Sequence, residues 1–271
     1  MIILTPKHED NIPIEADCIT PSKLSGKSIS ELEDLEVFRG NQRMDLCQVF
    51  EIEKESENDE KIVIRGDVAK VKRIGEEMES GEIVVEGDAG MHLGRGMKGG
   101  KILCQGDVTD YVAESMEGGV VEIEGDAGNR LGSANPGEEV GMKGGTIIVR
   151  GSAGSELGRR MRRGLIAVCG DVGSFAGTMM DGGSILSFGD FEERLGAGMD
   201  RGSIIAFEEP DLLPTFKYNC TYSPSFLEIL LPELEEYDLP VKDKHVDGKF
   251  SRYSGDLAAL GKGEIFVWEG D

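Results

Sequence analysis

Aromatic side chains and long apolar runs are scarce in this chain of 271 residues. Phenylalanine, tyrosine and tryptophan together make up 6% of it, with a single tryptophan. So few large side chains cannot fill a broad globular core, and apolar surface must therefore be buried in a narrower way. The sequence contains no run of about 18 apolar residues, and its first residues lack the apolar stretch of a signal peptide. We therefore expect no membrane association and a cytoplasmic location.

Cysteine and histidine are too few and too scattered for the sites that they usually build. The five cysteines contain no C-x-x-C pair, and the three histidines lie far apart. An odd number of widely spaced cysteines fits neither a disulfide framework nor a zinc or iron-sulfur ligand set. Three isolated histidines leave little material for a catalytic triad. The sequence thus predicts reduced thiols and no catalytic, cofactor-binding or metal-binding residues in this chain.

Basic residues are also in the minority. The chain has 29 lysines and arginines against 52 aspartates and glutamates, which gives a formal net charge of -23. Such a surface repels phosphate backbones and anionic headgroups, so neither nucleic acid nor a membrane is an expected partner. A solvated acidic surface explains the charge, and the alternative is a docking surface for a basic protein.

Glycine, in contrast, is abundant. The chain contains 39 glycines, about twice the average share of roughly 7%, without the triplet period of collagen. Alignment on the methionines shows a repeat of 19 residues, with one longer interval of 26. The extra residues of that interval, Ser133–Glu139, have the composition of a loop. The methionines of the repeat are Met78, Met97, Met116, Met142, Met161, Met180 and Met199.

Each unit carries a short alternating pattern. Glycine stands three residues after the methionine, and isoleucine or valine stands five residues after it. A second glycine follows at position nine in most units, and aspartate usually comes next. This pattern predicts a short strand that ends in a Gly-Asp turn. The glycines at position three are Gly81, Gly100, Gly119, Gly145, Gly164, Gly183 and Gly202.

A unit with such short strands cannot bury its apolar residues alone, whereas stacked units can. The sequence therefore predicts an all-β-dominated fold, a right-handed parallel β-helix of about seven 19-residue coils. Residues 59–209 would form this glycine-rich repeat region. Residues 1–58 would form an N-terminal region of short strands and one helix. Residues 210–271 would form a C-terminal cap with short helices, because an uncovered coil exposes a sheet edge.

Helices are expected at three places in the flanking regions. One lies around Ser28–Leu35, where Ser28 and Glu31 resemble a capping box. The stretch SPSFLEILLPELEEYDLP in the C-terminal region predicts a second helix. The stretch Tyr253–Leu260 predicts a third.

Three local motifs allow other interpretations. Gly94–Gly99 match G-x-G-x-x-G, but they join two repeat units, whereas a dinucleotide site needs them between a strand and a helix. A left-handed acyltransferase helix would use a base such as His92, but its six-residue subperiod is missing, and we expect His92 at the surface. An arginine cluster is either a solvated corner or a docking patch for an acidic partner or anionic group. It consists of Arg159, Arg160, Arg162 and Arg163.

The unit G-D-A-G-x-x-L-G-x-x-M-x-G-G-x-I-x-V is best seen over residues 87–121 and 125–168. It resembles the glycine-rich repeat domain of the C subunit of formylmethanofuran dehydrogenase and of the glutamate synthase large subunit. The flanking Ile19-Thr-Pro21, Leu24–Ser28 and Gly40-Asn41 resemble the N-terminal part of that C subunit. A glutamate synthase would also carry an amidotransferase and a flavin barrel, and this chain has neither. A third similar family is the C subunit of the formyltransferase/hydrolase complex of methylotrophic bacteria.

The resemblance implies a non-catalytic scaffold subunit of a cytoplasmic archaeal complex. That complex reversibly reduces CO2 and forms N-formylmethanofuran, the first step of methanogenesis from CO2. The resemblance places a molybdenum or tungsten pterin, iron-sulfur clusters and a binuclear metal site on partner subunits, which are pterin-binding and amidohydrolase-like. No catalytic residue carries over, because the matched positions are structural glycines and core aliphatics. The alternatives are the C subunit of a formyltransferase/hydrolase complex and a stand-alone glutamate-synthase-like β-helix component.

Overall fold

The structure is a computed structural model that describes residues 1–7, 12–55 and 60–270. Strands dominate it, as predicted, and its helices are short. The strands are Ile2–Pro6 (β1), Ile14–Glu15 (β2), Glu36–Arg39 (β3), Gln42–Asp45 (β4), Phe50–Lys54 (β5), Lys61–Ile64 (β6), Val71–Lys72 (β7), Glu82–Val85 (β8), Lys101–Cys104 (β9), Val120–Ile123 (β10), Thr146–Val149 (β11), Leu165–Val168 (β12), Asp181–Ser187 (β13), Arg201–Ala206 (β14), Lys217–Tyr222 (β15), Phe250–Gly255 (β16) and Lys262–Trp268 (β17). The helices are Pro21–Leu24 (α1), Ile29–Glu33 (α2), Leu46–Val49 (α3), Leu227–Glu235 (α4) and Asp243–Val246 (α5).

One large sheet runs through the molecule. Its order is β15-β16-β17-β14-β13-β12-β11-β10-β9-β8-β6-β1-β5. Within this order, every neighbouring pair between β17 and β1 is parallel. The remaining pairs, β1 with β5, β17 with β16 and β16 with β15, are antiparallel. Strands β2, β3, β4 and β7 form a separate small sheet.

Equivalent residues of successive units pair with one another. Ile102 of β9 lies opposite Ile83 of β8 on one side and Val121 of β10 on the other. The loop Ser133–Glu139 leaves this register intact, since Val121 pairs with Ile147 across it. A second ladder of isolated parallel bridges joins the same units, and it links Val68, Ala89, Val108, Ala127, Ala153, Val172 and Phe191 in that order.

The predicted glycines at position three stand at a tight corner. All seven have a φ between +85° and +105°, a region that other residues avoid. At Gly119 a Cβ atom would lie 2.7 Å from the carbonyl oxygen of Gly100, the equivalent glycine of the preceding unit. That carbonyl accepts a hydrogen bond from the backbone N–H of Val120 (3.0 Å). Glycine is therefore needed both for the conformation and for the close approach of neighbouring units.

Columns of aliphatic side chains fill the interior. The seven repeat methionines and the isoleucines or valines at position five are fully buried in one continuous cluster. Burial of each such side chain contributes roughly 1.5–3 kcal/mol relative to leaving it exposed. The narrow core expected from the scarcity of aromatic residues is thus a stack of methionine and isoleucine columns.

The N-terminal residues begin the large sheet. Strand β1 pairs in parallel with β6, whose residues occupy the position of a repeat strand. Helix α2 confirms the predicted helix, and Ser28 and Glu31 form the capping box on it. The expected boundary between residues 58 and 59 lies outside the described residues.

The C-terminal residues close the last repeat unit in a way that the sequence did not predict. Strand β17 pairs in parallel with β14, and Phe216 packs on Gly196 and Gly255 at the end of the interior. The predicted helix over Tyr253–Leu260 is wrong, because Tyr253 lies in β16 and pairs with Ile265 of β17. The residues that follow form the turn between these two strands.

Helix α4 confirms the helix expected in the stretch SPSFLEILLPELEEYDLP. It lies on the outer face of the sheet, where its buried Leu227, Leu231 and Leu234 form a second core cluster with Leu186 and Ile205. No helix within the described parts of the chain is long and apolar enough to cross a membrane.

Candidate docking surface

A row of side chains lines one corner of the repeat. Its members stand fourteen residues after the methionine in the six units from Met78 to Met180, and Arg73 is their counterpart in the unit before Met78. Every member has a positive φ, between 59° and 65°, although none is glycine. A left-handed conformation costs a residue with a Cβ roughly 1–2 kcal/mol. The stacked units impose this conformation at each level, and the side chains emerge one above another. We call this set the corner row: Arg73, His92, Tyr111, Arg130, Glu156, Phe175 and Arg194.

Neighbours in the corner row contact one another. The ring of His92 stacks on that of Tyr111, with 5.4 Å between centroids. Arg130 lies over the same tyrosine ring and its Nη1 donates to the Tyr111 hydroxyl oxygen (2.9 Å). Arg194 lies over the ring of Phe175 at 5.4 Å. Cation–π contacts and stacking of this kind fix the orientation of otherwise mobile side chains.

A buried carboxylate, that of Glu114, contacts His92 of the corner row. The side chain of Glu114 is fully buried, and its Oε1 lies 2.7 Å from His92 Nδ1 and 3.0 Å from Arg95 Nε. Arg95 also donates from Nη1 to Glu76 Oε1 (3.1 Å). His92 was expected at the surface, but its side chain is only 23% exposed and is tied to this carboxylate. The second oxygen of Glu114 has no hydrogen-bond partner among the described residues.

The structure brings together only part of the predicted arginine cluster. Arg159 and Arg160 line a groove of about 470 Å³ with Arg130 and the loop residues 134–139. Arg162 lines the next groove, of about 430 Å³, which it shares with Arg160. Arg163 is exposed and lines neither groove.

Carboxylates and carbonyls face these arginines. Arg159 Nη1 and Arg130 Nε lie 3.0 and 3.2 Å from Glu156 Oε2. Arg160 Nη1 donates to the carbonyl oxygen of Glu139 (3.4 Å). Arg162 lies 3.9 Å from Asp181. The grooves thus offer both signs of charge at fixed positions, which suits a partner that must dock in one orientation.

The loop Ser133–Glu139 has a second charged side. A groove of about 270 Å³ there is lined by Arg95, Glu138, Glu117 and Lys143, among others. A hydrogen bond from the Ser115 hydroxyl (2.6 Å) lowers the pKa of Glu138. Lys143 Nζ lies 2.8 Å from Glu117 and lowers the pKa of that carboxyl. The loop is therefore held between two grooves of paired charges.

Sequence reasoning found the loop and the arginines but missed the corner row. Position fourteen carries arginine, histidine, tyrosine, glutamate and phenylalanine, so no residue type marks it. The sequence feature that could have located position fourteen is its spacing, because it lies two residues before position sixteen, which is glycine in most units. His92 and Gly94 are one such pair. Within the described residues, no group of three or more histidine, cysteine, aspartate or glutamate side chains could hold a metal ion.

Known proteins share both the repeat and the whole fold. The family model described as the GXGXG motif matches residues 82–221. The C subunit of the tungsten-containing formylmethanofuran dehydrogenase 2 of Methanothermobacter wolfeii is 44% identical over 96 residues, which cover 34% of this chain and 36% of that protein. The C subunit of the molybdenum-containing formylmethanofuran dehydrogenase 1 of Methanothermobacter marburgensis is 44% identical over 92 residues, 34% of this chain and 23% of that protein. The matched segment thus spans about a third or less of these curated relatives.

A solved structure extends the similarity to nearly the full length. It is the crystal structure of the formyltransferase/hydrolase complex from Methylorubrum extorquens in complex with methylofuran. One of its chains superposes with a TM-score of 0.87 and 36% sequence identity, over 98% of this chain and 98% of that chain. The chain therefore belongs to the GXGXG-motif family and is a homologue of the C subunit of formylmethanofuran dehydrogenase.

Proposed function

We propose that this chain is a non-catalytic scaffold subunit of a formylmethanofuran dehydrogenase complex. The complex would reversibly reduce CO2 and form N-formylmethanofuran, the first step of methanogenesis from CO2. The observation that carries the proposal is the similarity over 98% of both chains to one chain of a multi-subunit complex. Curated relatives named as the C subunit of the dehydrogenase support the choice of complex.

We also propose that the repeat is a right-handed parallel β-helix of about seven coils. Each unit from Met78 to Met180 contributes one strand to the long parallel sheet and one residue to the second ladder, where Ala89, for example, pairs with Val108. Two ladders joined by glycine corners are what a chain winding once per unit requires. Right-handed winding is the preference of parallel crossovers. A crystal structure of the chain with the opposite hand would contradict this.

A stack of this kind suits a scaffold. Hydrogen bonds between successive units and a continuous buried core make neighbouring units rigid relative to one another. The corner row and the two arginine-lined grooves then present side chains at intervals set by the strand spacing of about 4.8 Å. Partner subunits bound along this surface would be held in a fixed relation. We place the complex in the cytoplasm, with its molybdenum or tungsten pterin, iron-sulfur clusters and binuclear metal site on pterin-binding and amidohydrolase-like partners.

The arginine cluster of Arg159, Arg160, Arg162 and Arg163 is proposed as one docking patch of this scaffold. Substitution of all four by glutamine should then abolish or weaken assembly with partner subunits. If the chain instead formed part of the methanofuran pocket, the same variant would assemble normally and show a raised KM for methanofuran. The two roles are thus separated by measuring assembly and KM on one variant.

Affinity purification of the tagged full-length chain from its native host tests the main proposal. Mass spectrometry should find pterin-binding and amidohydrolase-like subunits in stoichiometric amounts. The chain alone should show no redox activity and bind less than one metal ion per chain. A chain that purifies without partners, or with one tightly bound ion, would contradict the proposal.

A formyltransferase/hydrolase complex is the second candidate, and the solved structure from Methylorubrum extorquens favours it. Metal analysis of the purified complex separates the two. Molybdenum or tungsten together with CO2 reduction would support the dehydrogenase. Formyl transfer and hydrolysis without either metal would support the alternative. A stand-alone glutamate-synthase-like component would purify with neither set of partners.

A further inference from the structure

The two edge strands of the large sheet differ in how they are protected. At one edge, β5 has the sequence Phe-Glu-Ile-Glu-Lys, and its charges discourage pairing with another chain. At the other edge, β15 has the sequence Lys-Tyr-Asn-Cys-Thr-Tyr, and all six residues are exposed. No strand in the described part of the chain pairs with the outer side of β15. A long exposed edge with one charge at its end is an open template for another strand.

The chain segment that contains β15 has no acidic residue. No aspartate or glutamate occurs between Asp211 and Glu228, in a chain with 52 acidic residues among 271. Depletion of charged residues and enrichment of tyrosine and phenylalanine characterise the cores of protein interfaces. The acid-free stretch includes the whole of β15.

Exposed apolar side chains collect beside the same edge. Of the large hydrophobic residues that are exposed among the described residues, more than half lie in this region of the fold: Tyr218 (57%), Tyr222 (39%), Phe226 (37%), Ile229 (66%), Leu257 (57%) and Leu260 (49%). Tyr222 and Phe226 both lie against the ring of Phe266. Leu257 adjoins the start of β15, since its N–H donates to the carbonyl of Thr215 (3.1 Å). Apolar surface therefore flanks the open strand at both ends.

We propose that β15 and its apolar neighbours bind an extended segment of a different protein chain, which adds a strand to the large sheet. Backbone hydrogen bonds along β15 would give affinity, and the apolar side chains would give specificity. A different chain suits this edge better than a second copy does, because two bodies of net charge -23 repel each other at long range. The segment is expected to carry aromatic or aliphatic side chains and basic rather than acidic flanks. This inference rests on the proposed function, since the partner is a subunit of the same complex.

Hydrogen exchange measured by mass spectrometry tests this on the native complex and on the full-length chain alone. Amides of residues 217–222 should exchange at least tenfold more slowly in the complex, whereas those of β5 should not change. A complex that assembles but leaves residues 217–222 unprotected overturns the inference and leaves the proposed function intact. Protection in the isolated chain that appears with concentration, together with a doubled mass, would mean a second copy and also overturns it.

Substitution of Tyr218 by aspartate gives an independent readout. Tyr218 is more than half exposed, so the isolated variant should stay folded, with only a small fall in melting temperature from the lost contacts with Tyr253 and Thr221. Its binding to partner subunits should weaken at least tenfold, because a charge is placed where the added strand would lie. Glu53→Lys on β5 is the matched control and should bind normally. A Tyr218→Asp chain that is folded and binds as tightly as the unsubstituted one contradicts the proposal.

Discussion

At the scale of single residues, a glycine can be required because its φ is positive or because a neighbouring backbone leaves no room for a Cβ atom. Gly119 and Gly137 have nearly the same φ, +89° and +92°. A Cβ at Gly119 would lie 2.7 Å from Gly100 O, whereas a Cβ at Gly137 would meet nothing within 4 Å. The first glycine belongs to the repeat and the second to the loop Ser133–Glu139. The pair therefore distinguishes the cost of conformation from the cost of close packing.

Gly119→Ala should destabilise the chain much more than Gly137→Ala. The loop substitution introduces only backbone strain, roughly 1 kcal/mol. The repeat substitution adds a steric clash with a neighbouring unit, for a total of about 3 kcal/mol or more. Urea unfolding of both variants measures the difference. Equal losses would mean that the units do not approach as closely as described.

Glu114 should matter to stability far more than the exposed Glu117 three residues later. Glu114→Gln removes the charge that faces His92 and Arg95 in a buried site, and we expect a loss of about 1–3 kcal/mol. Glu117→Gln removes an exposed partner of Lys143 and should leave the free energy of unfolding unchanged. Both are measured by denaturant unfolding at pH 7. A Glu114 variant as stable as the unsubstituted chain would contradict the account of the corner row.

The cysteines should differ widely in reactivity. Burial raises the pKa of Cys104 to about 11 and that of Cys18 to about 12. Because the thiolate is the nucleophile, both should resist iodoacetamide at pH 8, and the labelling of Cys104 should rise only as the pH approaches 11. Exposed Cys220 should react within minutes. Mass spectrometry of the native chain measures this, with unfolded chain as the control in which all five react.

At the scale of elements, the strands of the repeat were predicted from the sequence because the spacing of glycines and aliphatic residues determines where they begin and end. The strand after each position-three glycine and the uninterrupted register across Ser133–Glu139 follow from spacing alone, as does helix α2 from its capping box. Position fourteen was missed because the stacked units, and not the residue type, impose its backbone conformation. The pairing of β16 and β17 was missed because no repeat marks it, and the local pattern of Tyr253–Leu260 favours a helix. Contacts distant in sequence decide those elements.

Helix α4 is held to the sheet by one side and exposed on the other. Leu231 is fully buried against the outer face, whereas Ile229 is 66% exposed. Leu231→Ala should cost about 2–5 kcal/mol, because it leaves a cavity between helix and sheet. Ile229→Ala, two residues away on the same helix, should change stability little. Thermal unfolding of the two variants makes the comparison, and equal effects would mean that α4 does not pack as described.

At the scale of the whole molecule, some of the acidic residues connect successive repeat units, in addition to giving the surface its negative charge. Asp88 Oδ1 accepts the N–H of Asp107, and Asp107 Oδ1 accepts that of Asp126 (both 2.8 Å). The Gly-Asp turns thus link units 19 residues apart, which extends the turn predicted from the sequence. These carboxylates join the stacked units on one corner while the corner row occupies another. The remaining surface is available to the partner subunits that we propose.

The central claim is that this chain joins active subunits without contributing to their chemistry. Production of the complex with and without this chain, from otherwise identical expression, tests it most directly. Without the chain, each partner subunit should keep its own half-reaction at an unchanged rate per active site, while the partners should no longer elute together in gel filtration. If the partners stay assembled but a half-reaction is lost, the chain supplies catalytic groups and the scaffold account is wrong.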